Sequence, residues 1–357
     1  MDPGKSKSRI LHVITGLLGG GAERFTIDLV KAQLAAGKQA QIVSLGNETE
    51  TLVAEVRAQH ISLELLDMSR NPFHVFASVR KLREIIGHFA PDVIHCHMFH
   101  PMFLAVWAVA NRNPRPAIVF TPHSFNIGSR LREFITALTR PWRSADVLFS
   151  KSMIRYFYRK DAVFIPNGIF MEPFSEVEKR ARFTFINVAG LRPEKNQITI
   201  LRAVEQLRNA GMNDFDVWIA GDGPLKESLV QYKDRRRLDN VHFLGFRKDI
   251  GKLLQQAHCF ILPSLWEGLP LSVLEAASFA VPVICTRVGG LEEYFDENEF
   301  LYTGMDATDL AAAMANVLQY PEKYFRTAFA LKKRVRNDFS MQAVELKYDR
   351  VYRDYEK

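Results

Sequence analysis

Cysteine is scarce in this 357-residue chain, and its three copies, Cys96, Cys259 and Cys285, are odd in number and scattered among apolar residues. That argues against a disulfide framework and a zinc knuckle, and predicts three buried thiols. No apolar run reaches the length of a membrane span. Met1–Arg9 carries charges but no apolar stretch before Ile10, so no secretory leader is expected, and the expected compartment is the cytoplasm. Internal repeats and low-complexity tracts are missing too. Acidic residues run short in one half only: up to Gly168 there are 21 Lys and Arg against 13 Asp and Glu, and from Ile169 onward 26 against 27. The net charge of +7 therefore sits in the first half, where a basic surface suits nucleic acid, an anionic membrane or a phosphorylated substrate.

What is present is an alternation of short β-rich apolar runs with longer amphipathic stretches, the pattern of parallel sheets built from βαβ units. In the first half strands are expected at Ile10–Ile14, Ala40–Leu45, Ser62–Leu66, Val93–His97, Ala117–Thr121, Val147–Phe149 and Val163–Ile165, with helices between them such as Ala22–Ala36, His74–His88 and Arg130–Leu138. The alternation restarts at Phe183–Val188, Asp216–Ala220, Val241–Leu244, Cys259–Leu262, Val283–Thr286 and Phe300–Tyr302, separated by helices such as Ile198–Asn209 and Asp306–Leu318. The "IPNGIF" turn, Ile165–Phe170, breaks the pattern before the charged stretch Glu172–Arg182. The fold class is α/β: two doubly wound Rossmann-like domains, 1–168 and 169–340, facing across a cleft. A last helical segment, 341–357, is placed to cross back to the first domain.

The stretch most telling for chemistry is Pro263–Gly290, "PSLWEGLPLSVLEAASFAVPVICTRVGG". Two glutamates eight residues apart mean nothing by spacing alone in a chain this size. Context gives them weight, because Pro270 is placed to open a helix running from Leu271 to Ala280. Glu267 and Gly268 then lie in the loop before that helix, and Glu275 in its second turn. The amides of Leu271 and Ser272 become unpaired donors at a helix N-terminus, suited to a diphosphate. Glu275 can accept from vicinal hydroxyls such as those of a ribose, and Glu267 faces whatever the diphosphate carries. An ordinary amphipathic helix with exposed glutamates is the competing reading.

"EGLPLSVLEA" followed by "VPVICTRVGGLEE" resembles the signature of the retaining family-4 glycosyltransferases, which have the GT-B fold. "GLLGGGAE" (Gly16–Glu23) resembles the family's donor-facing glycine loop, which implies donor contact by Gly19 and Gly20; "IPNGI" resembles its domain crossover, and "AGLRPEKNQ" (Ala189–Gln197) and "AGDGPL" (Ala220–Leu225) resemble further family segments, in order, over nearly the whole chain. The resemblance implies that Glu275 holds the nucleotide ribose, that Glu267 contacts the donor sugar, that Lys195 grips the diphosphate, and that His123 in "TPHSF" lies beside the sugar. A cation preset where the leaving diphosphate gains charge is chemically apt. One departure stands out: the family's arginine falls at Gly190, and Arg192, two residues on, is the nearest replacement. The resemblance also implies that no metal or other cofactor is needed, the nucleoside-diphosphate sugar being a co-substrate.

Gly19, Gly20 and Gly21 lie between the first strand and first helix, where bare backbone amides can approach a phosphate or sugar. They do not spell G-x-G-x-x-G, which makes a dehydrogenase a poor reading. His95 and His97 alternate with Cys96 in a pattern that could hold a metal, yet no second cluster is visible to close such a site. His97 is expected to line the acceptor side and His95 to pack. Between Ser129 and Lys160 lie Arg130, Arg132, Arg140, Arg143, Lys151, Arg155, Arg159 and Lys160, against only Glu133 and Asp146, with aromatics interleaved. That stripe suits a solvated face or peripheral attachment to the inner face of an anionic membrane, and no recognition motif for nucleic acid accompanies it. The expected activity is a retaining, metal-independent hexosyl transfer from a nucleotide sugar to an acceptor hydroxyl in bacterial surface-polysaccharide or lipid-linked oligosaccharide synthesis. The rivals are a nucleotide-sugar epimerase of the same architecture and a non-catalytic nucleotide-sugar sensor.

Overall fold

The computed structural model describes residues 8–68, 72–124, 126–171 and 178–355. Most of Met1–Arg9, the first part of Glu172–Arg182 and Phe125 of "TPHSF" lie outside the described residues. The chain divides into two compact units, Met1–Phe170 with Met341–Lys357, and Met171–Ser340. The split therefore falls two residues beyond Gly168, and the last helix belongs to the first unit.

In the first unit the order is β1 (Arg9–Ile14), α1 (Gly21–Ala35), β2 (Gln39–Ser44), α2 (Val53–Ala58), β3 (Ser62–Leu65), α3 (Pro72–Phe89), β4 (Val93–His97), α4 (Phe99–Val109), β5 (Ala117–Thr121), α5 (Arg130–Leu138), β6 (Ala145–Leu148) and β7 (Val163–Phe164). All strand pairs are parallel, in the order β3-β2-β1-β4-β5-β6-β7. The central strands are buried on both faces because helices cover both, as parallel sheets require. The second unit runs β8 (Phe183–Val188), α6 (Gln197–Asn209), β9 (Phe215–Ala220), α7 (Lys226–Arg235), β10 (Val241–Gly245), α8 (Ile250–Gln256), β11 (Cys259–Leu262), α9 (Leu271–Ser278), β12 (Val283–Thr286), α10 (Leu291–Tyr294), β13 (Leu301–Thr303), α11 (Ala307–Gln319) and α12 (Pro321–Asp338). Its sheet order is β10-β9-β8-β11-β12-β13. The final helix, α13 (Met341–Arg353), packs Met341, Val344, Tyr348 and Tyr352 into the core beside β1, β4 and β5. Gly168 allows this, since a Cβ there would sit 2.9 Å from Val344.

The expected strands are all present, with edges moved by a residue or two. The largest shift is β6, which starts at Ala145 rather than Val147, because the buried Asp146 belongs to the strand. Helix α9 stops at Ser278, short of the expected Ala280, for a local reason. Ala280 is left-handed (φ 58°), and the amides of Ala280 and Val281 bond back to the carbonyls of Ala277 and Ala276, closing a Schellman turn. The three cysteines are free and buried, as their apolar flanks predicted.

Candidate functional site

Doubly wound sheets collect ligands beyond the carboxyl ends of their strands, where the strand order reverses. In the second unit that point lies between β8 and β11. The loop after β8 carries Arg192 and Lys195, and the loop after β11 carries Glu267 and Gly268. The two are laced together: the Leu265 amide donates to Glu194 O at 2.8 Å, and Asn196 Nδ2 to Pro263 O at 3.2 Å. Lys195 ends a single 3-10 turn, which left-handed Asn196 (φ 51°) terminates at the start of α6. Its Nζ lies 2.5 Å from Glu267 Oε1, and Ser264 Oγ donates to the same oxygen at 2.7 Å. The side chains are only 23% and 10% exposed, so this pair is far less screened than a surface ion pair.

Glycines hold these loops in register. Gly221 (φ +148°) packs so closely that a Cβ there would lie 1.9 Å from Ala189 O, and one on Gly223 would lie 2.5 Å from Leu191 O. A Cβ on Gly289 (φ +63°) would meet Glu267 O at 2.1 Å and Gly268 O at 2.4 Å, and the Gly290 amide donates to Gly268 O at 2.7 Å. "AGDG" and "RVGG" thus act as wedges against the loops bearing Lys195 and Glu267.

Helix α9 opens right after the Glu267 loop. Pro270, extended at φ −70°, ψ 124°, is its N-cap and offers no side-chain cap, so the Leu271 and Ser272 amides point out of the helix end. Glu275 stands half-buried in the second turn. Arg192 is exposed, and its Nε lies 3.8 Å from where a Cβ on Gly190 would be. Its side chain therefore lies at ordinary contact distance from position 190.

In the first unit the order reverses between β1 and β4. Gly19 (φ 103°) and Gly20, the N-cap of α1, form an exposed turn there, again with no side-chain cap. The histidines require two corrections. No further ligand was expected beside His95 and His97, but β1 places His12 opposite His95 on the same sheet face, and the three lie with one nitrogen each within 4.8 Å of one another. The sequence separates His12 from them by more than 80 positions, and only strand register unites them. His97, expected to line the acceptor side, is fully buried, with its Nε2 2.9 Å from His12 Nδ1 and its Nδ1 2.8 Å from His123 Nε2. His123, half-buried and left-handed at φ 60°, is the member of this set that reaches the surface. His95 packs, as expected, between Tyr352 Oη at 2.8 Å and Thr121 Oγ1 at 2.9 Å. Burial holds His12 neutral by lowering its pKa to about 4 and that of His123 to about 3, and pushes His95 and His97 well down too.

The basic stripe also needs correcting. Arg143 is fully buried, 3.0 Å from Asp146, donating to the carbonyls of Thr136 and Phe157 and lying over Phe120. Arg159 is tied to Asp161 and to Arg143 O. Phe149 and Tyr158 are core residues. The surface instead shows Leu131, Phe134 and Leu138 on one face of α5, and the same stretch of sequence also exposes Trp142, Ile154 and Tyr156 and the cations Arg130, Lys151, Arg155 and Lys160. No described helix is long and apolar enough to cross a membrane.

Two parallel α/β units, each with a strand-order reversal, are the architecture of the GT-B fold, and comparison with known proteins agrees. The sequence model "Glycosyltransferase Family 4" matches residues 19–171, and "Glycosyl transferases group 1" matches 170–334. The chain belongs to the family-4 glycosyltransferases. It is 27% identical over 328 residues, 83% of each chain, to the Escherichia coli UDP-Gal:alpha-D-GlcNAc-diphosphoundecaprenol alpha-1,3-galactosyltransferase. Its fold matches Anabaena Alr3699/HepE, solved in complex with UDP and glucose, with a TM-score of 0.81 at 18% identity over 97% of this chain and 100% of that one. A Rickettsia africae glycosyltransferase gives 0.83 at 20% identity over 99% and 100%. The activity is therefore glycosyl transfer (EC 2.4), and neither the epimerase nor the sensor reading is favoured.

Proposed function

We propose that the chain is a retaining, metal-independent hexosyltransferase that moves a sugar from a nucleoside diphosphate to an acceptor hydroxyl on a lipid-linked or surface glycan. The observation that carries the reading is the Lys195–Glu267 pair, on loops packed against Gly221, Gly223 and Gly289, with the open N-terminus of α9 following the Glu267 loop. The Leu271 and Ser272 amides with Lys195 and Arg192 take the diphosphate, and Glu275 takes the ribose. Glu267, beside Gly268, binds the transferred sugar and holds Lys195. Arg192 supplies the cation that Gly190 lacks. Gly19, Gly20 and His123 are the first unit's candidates for substrate contact, and His97 acts behind His123.

In the reaction the bond from C1 of the sugar to the diphosphate oxygen breaks, and the acceptor oxygen bonds C1 on the same face. The acceptor proton passes to the departing diphosphate, whose growing charge Lys195 and Arg192 offset. The diphosphoundecaprenol acceptor named for the Escherichia coli relative supports a lipid-linked acceptor here. The apolar and cationic surface of α5 supports peripheral attachment at the cytoplasmic face of an anionic membrane.

A panel of nucleotide sugars, screened by thermal stabilisation and then by transfer with chelator present, tests the reading, because a ligand that binds the folded state raises stability by RT ln(1 + [L]/Kd). Product NMR should show the donor's anomeric configuration kept. Inversion, or activity abolished by chelator and restored by a divalent metal, would overturn it.

A further inference from the structure

The buried histidines form a directional chain, and its proton arrangement can be derived. His12 Nε2 lies 2.8 Å from Gln33 Oε1, His12 Nδ1 2.9 Å from His97 Nε2, and His97 Nδ1 2.8 Å from His123 Nε2. An amide oxygen only accepts, so His12 must carry its proton on Nε2. A neutral imidazole has one N–H, so His12 Nδ1 accepts and His97 Nε2 donates. By the same step His123 Nε2 donates to His97, and His123 Nδ1 is left without a proton. The other arm is consistent in the same sense: Gln33 Nε2 donates to Tyr352 Oη at 3.5 Å, the phenol donates to His95 Nδ1, and His95 Nε2 donates to Thr121 Oγ1. Every ring nitrogen of His12, His95 and His97 is thereby engaged, which leaves none of them a lone pair for a metal.

We propose that Gln33, acting through His12 and His97, sets the tautomer of His123: with the amide oxygen toward His12, His123 Nδ1 is a hydrogen-bond acceptor for a substrate hydroxyl. Gln33, His12 and His97 are positioning residues, and Tyr352 on α13 completes the set as the partner of the other end of the Gln33 amide. The ring of His123 cannot swivel freely, because Phe25 and Phe149 meet it edge-on at 5.5 and 5.2 Å between centroids. Turning the Gln33 amide over would reverse every proton in both arms and put an N–H on His123 Nδ1. The network thus has two fully bonded states, and the amide orientation selects which face His123 shows. Low pKa values keep the rings neutral, as the one-proton rule requires. That the hydroxyl belongs to substrate rests on the glycosyltransferase reading above, whereas the tautomer does not.

The test is long-range proton–nitrogen NMR of the histidine side chains in the ligand-free full chain, with Gln33→Leu, Gln33→Glu and Tyr352→Phe. The wild type should show His12, His97 and His123 all protonated at Nε2. Gln33→Leu should bring a mixed tautomer to His123, which Gln33 does not touch, and Gln33→Glu, which keeps the acceptor, should restore the single one. If Gln33→Leu does not fold, Tyr352→Phe serves, since it removes the amide's second partner, leaves the amide held by His12 alone and should mix the tautomers as well. In transfer assays Gln33→Leu should lower kcat about three- to tenfold, the range for one hydrogen bond, with nucleoside-diphosphate affinity unchanged and Gln33→Glu near wild type. A wild-type His123 protonated at Nδ1, an unmoved tautomer in both folded variants, or zinc added alone binding stoichiometrically and shifting all three buried rings would overturn the proposal. Single tautomers with no transfer from any nucleotide sugar would instead sink the glycosyltransferase reading and leave the relay standing.

Discussion

Both units use the same device, a parallel sheet whose strand order reverses, yet they furnish the reversal in opposite ways. The second unit places a partly exposed ion pair there, Lys195–Glu267, with bare helix amides next to it. The first unit fills the same position with neutral rings that satisfy one another, and only His123 reaches the surface. Preset charge stabilises a charged leaving group, whereas neutral, tautomer-defined rings can read hydroxyls. The scaffold is common, and the chemistry is set by which residues the strand ends carry.

The largest expected effect breaks the first unit alone. Arg143 sits in a site where burial pushes its own pKa down and that of Asp146 up, so desolvation opposes both charges. Arg143→Met leaves Asp146 buried without its cation and should cost about 3–5 kcal/mol. In thermal unfolding that is a fall on the order of 10 °C. Nucleoside-diphosphate affinity of the remaining folded protein should be unchanged. A melting temperature within a degree or two of wild type would mean that the pair carries no structure.

Next in size is Lys195→Ala, which should lower kcat with little change in melting temperature. One preset donor is typically worth about 2.7–4 kcal/mol of barrier. Near-normal turnover in this variant, together with a dead Arg192→Ala, would transfer the dominant role to the arginine beside Gly190. Glu275→Ala should follow at roughly 1.5–3 kcal/mol of nucleotide affinity, the range for hydrogen bonds to a charged group. Calorimetry with the free nucleoside diphosphate checks it, and an unchanged Kd would remove Glu275 from the site.

The second unit was the more legible half, for a physical reason. Its loops after β8 and β11 each keep their functional residues within a few positions, so Lys195, Glu267, Leu271, Ser272 and Glu275 could be nominated from contiguous motifs. The wedge role of Gly221, Gly223 and Gly289 was not legible, since it depends on which carbonyl a glycine meets across space. In the first unit the functional set is spread over β1, β4, α1, α13 and the loop after β5. His12 and Gln33 carried no local signal, and Tyr352 lies 257 positions from the His95 it touches. Arg143 misled for the opposite reason: composition marks it as one of eight basic residues, and only packing shows that it points inward.

The contrast also predicts unequal acid sensitivity. His12, His95, His97 and His123 all have folded-state pKa values below the ordinary 6.5, to about 4 for His12 and about 3 for His123. The unfolded chain therefore binds more protons below pH 6.5, and the first unit loses stability as pH falls from there. Asp28, raised to about 6, and Asp146, also raised, work the other way below pH 6 and offset part of the loss. The second unit has the half-buried His258, lowered to about 4, to set against this. Hydrogen exchange followed from pH 7 to 5 should show the first unit opening first, and simultaneous opening of both units would remove the histidines as the cause.

The smallest effect per residue, and the one that tests the first unit's outer surface, concerns the membrane. Leu131, Phe134 and Leu138 are each more than 60% exposed on one face of α5, which is unusual for a monomer surface. Arg130, Lys151, Arg155 and Lys160 are exposed in the same segment, so they, and not Arg143 or Arg159, are the cations to change. Each contributes about 1 kcal/mol near an anionic surface, so replacing all four by Gln should remove up to roughly 4 kcal/mol, on the order of a thousandfold in partitioning. Wild-type binding should also weaken as salt rises. Replacing Leu131, Phe134 and Leu138 by Ser should weaken binding without changing its salt dependence, because burial of apolar side chains does not depend on charge. Nucleotide affinity should be untouched in both variants, since none of the changed residues is among the proposed donor contacts. Co-sedimentation with vesicles of neutral lipid, alone or mixed with anionic lipid, separates the outcomes. If wild-type protein ignores lipid charge and the Ser variant binds as well as it does, this segment is a solvated face, and the difference between the units is confined to their strand ends.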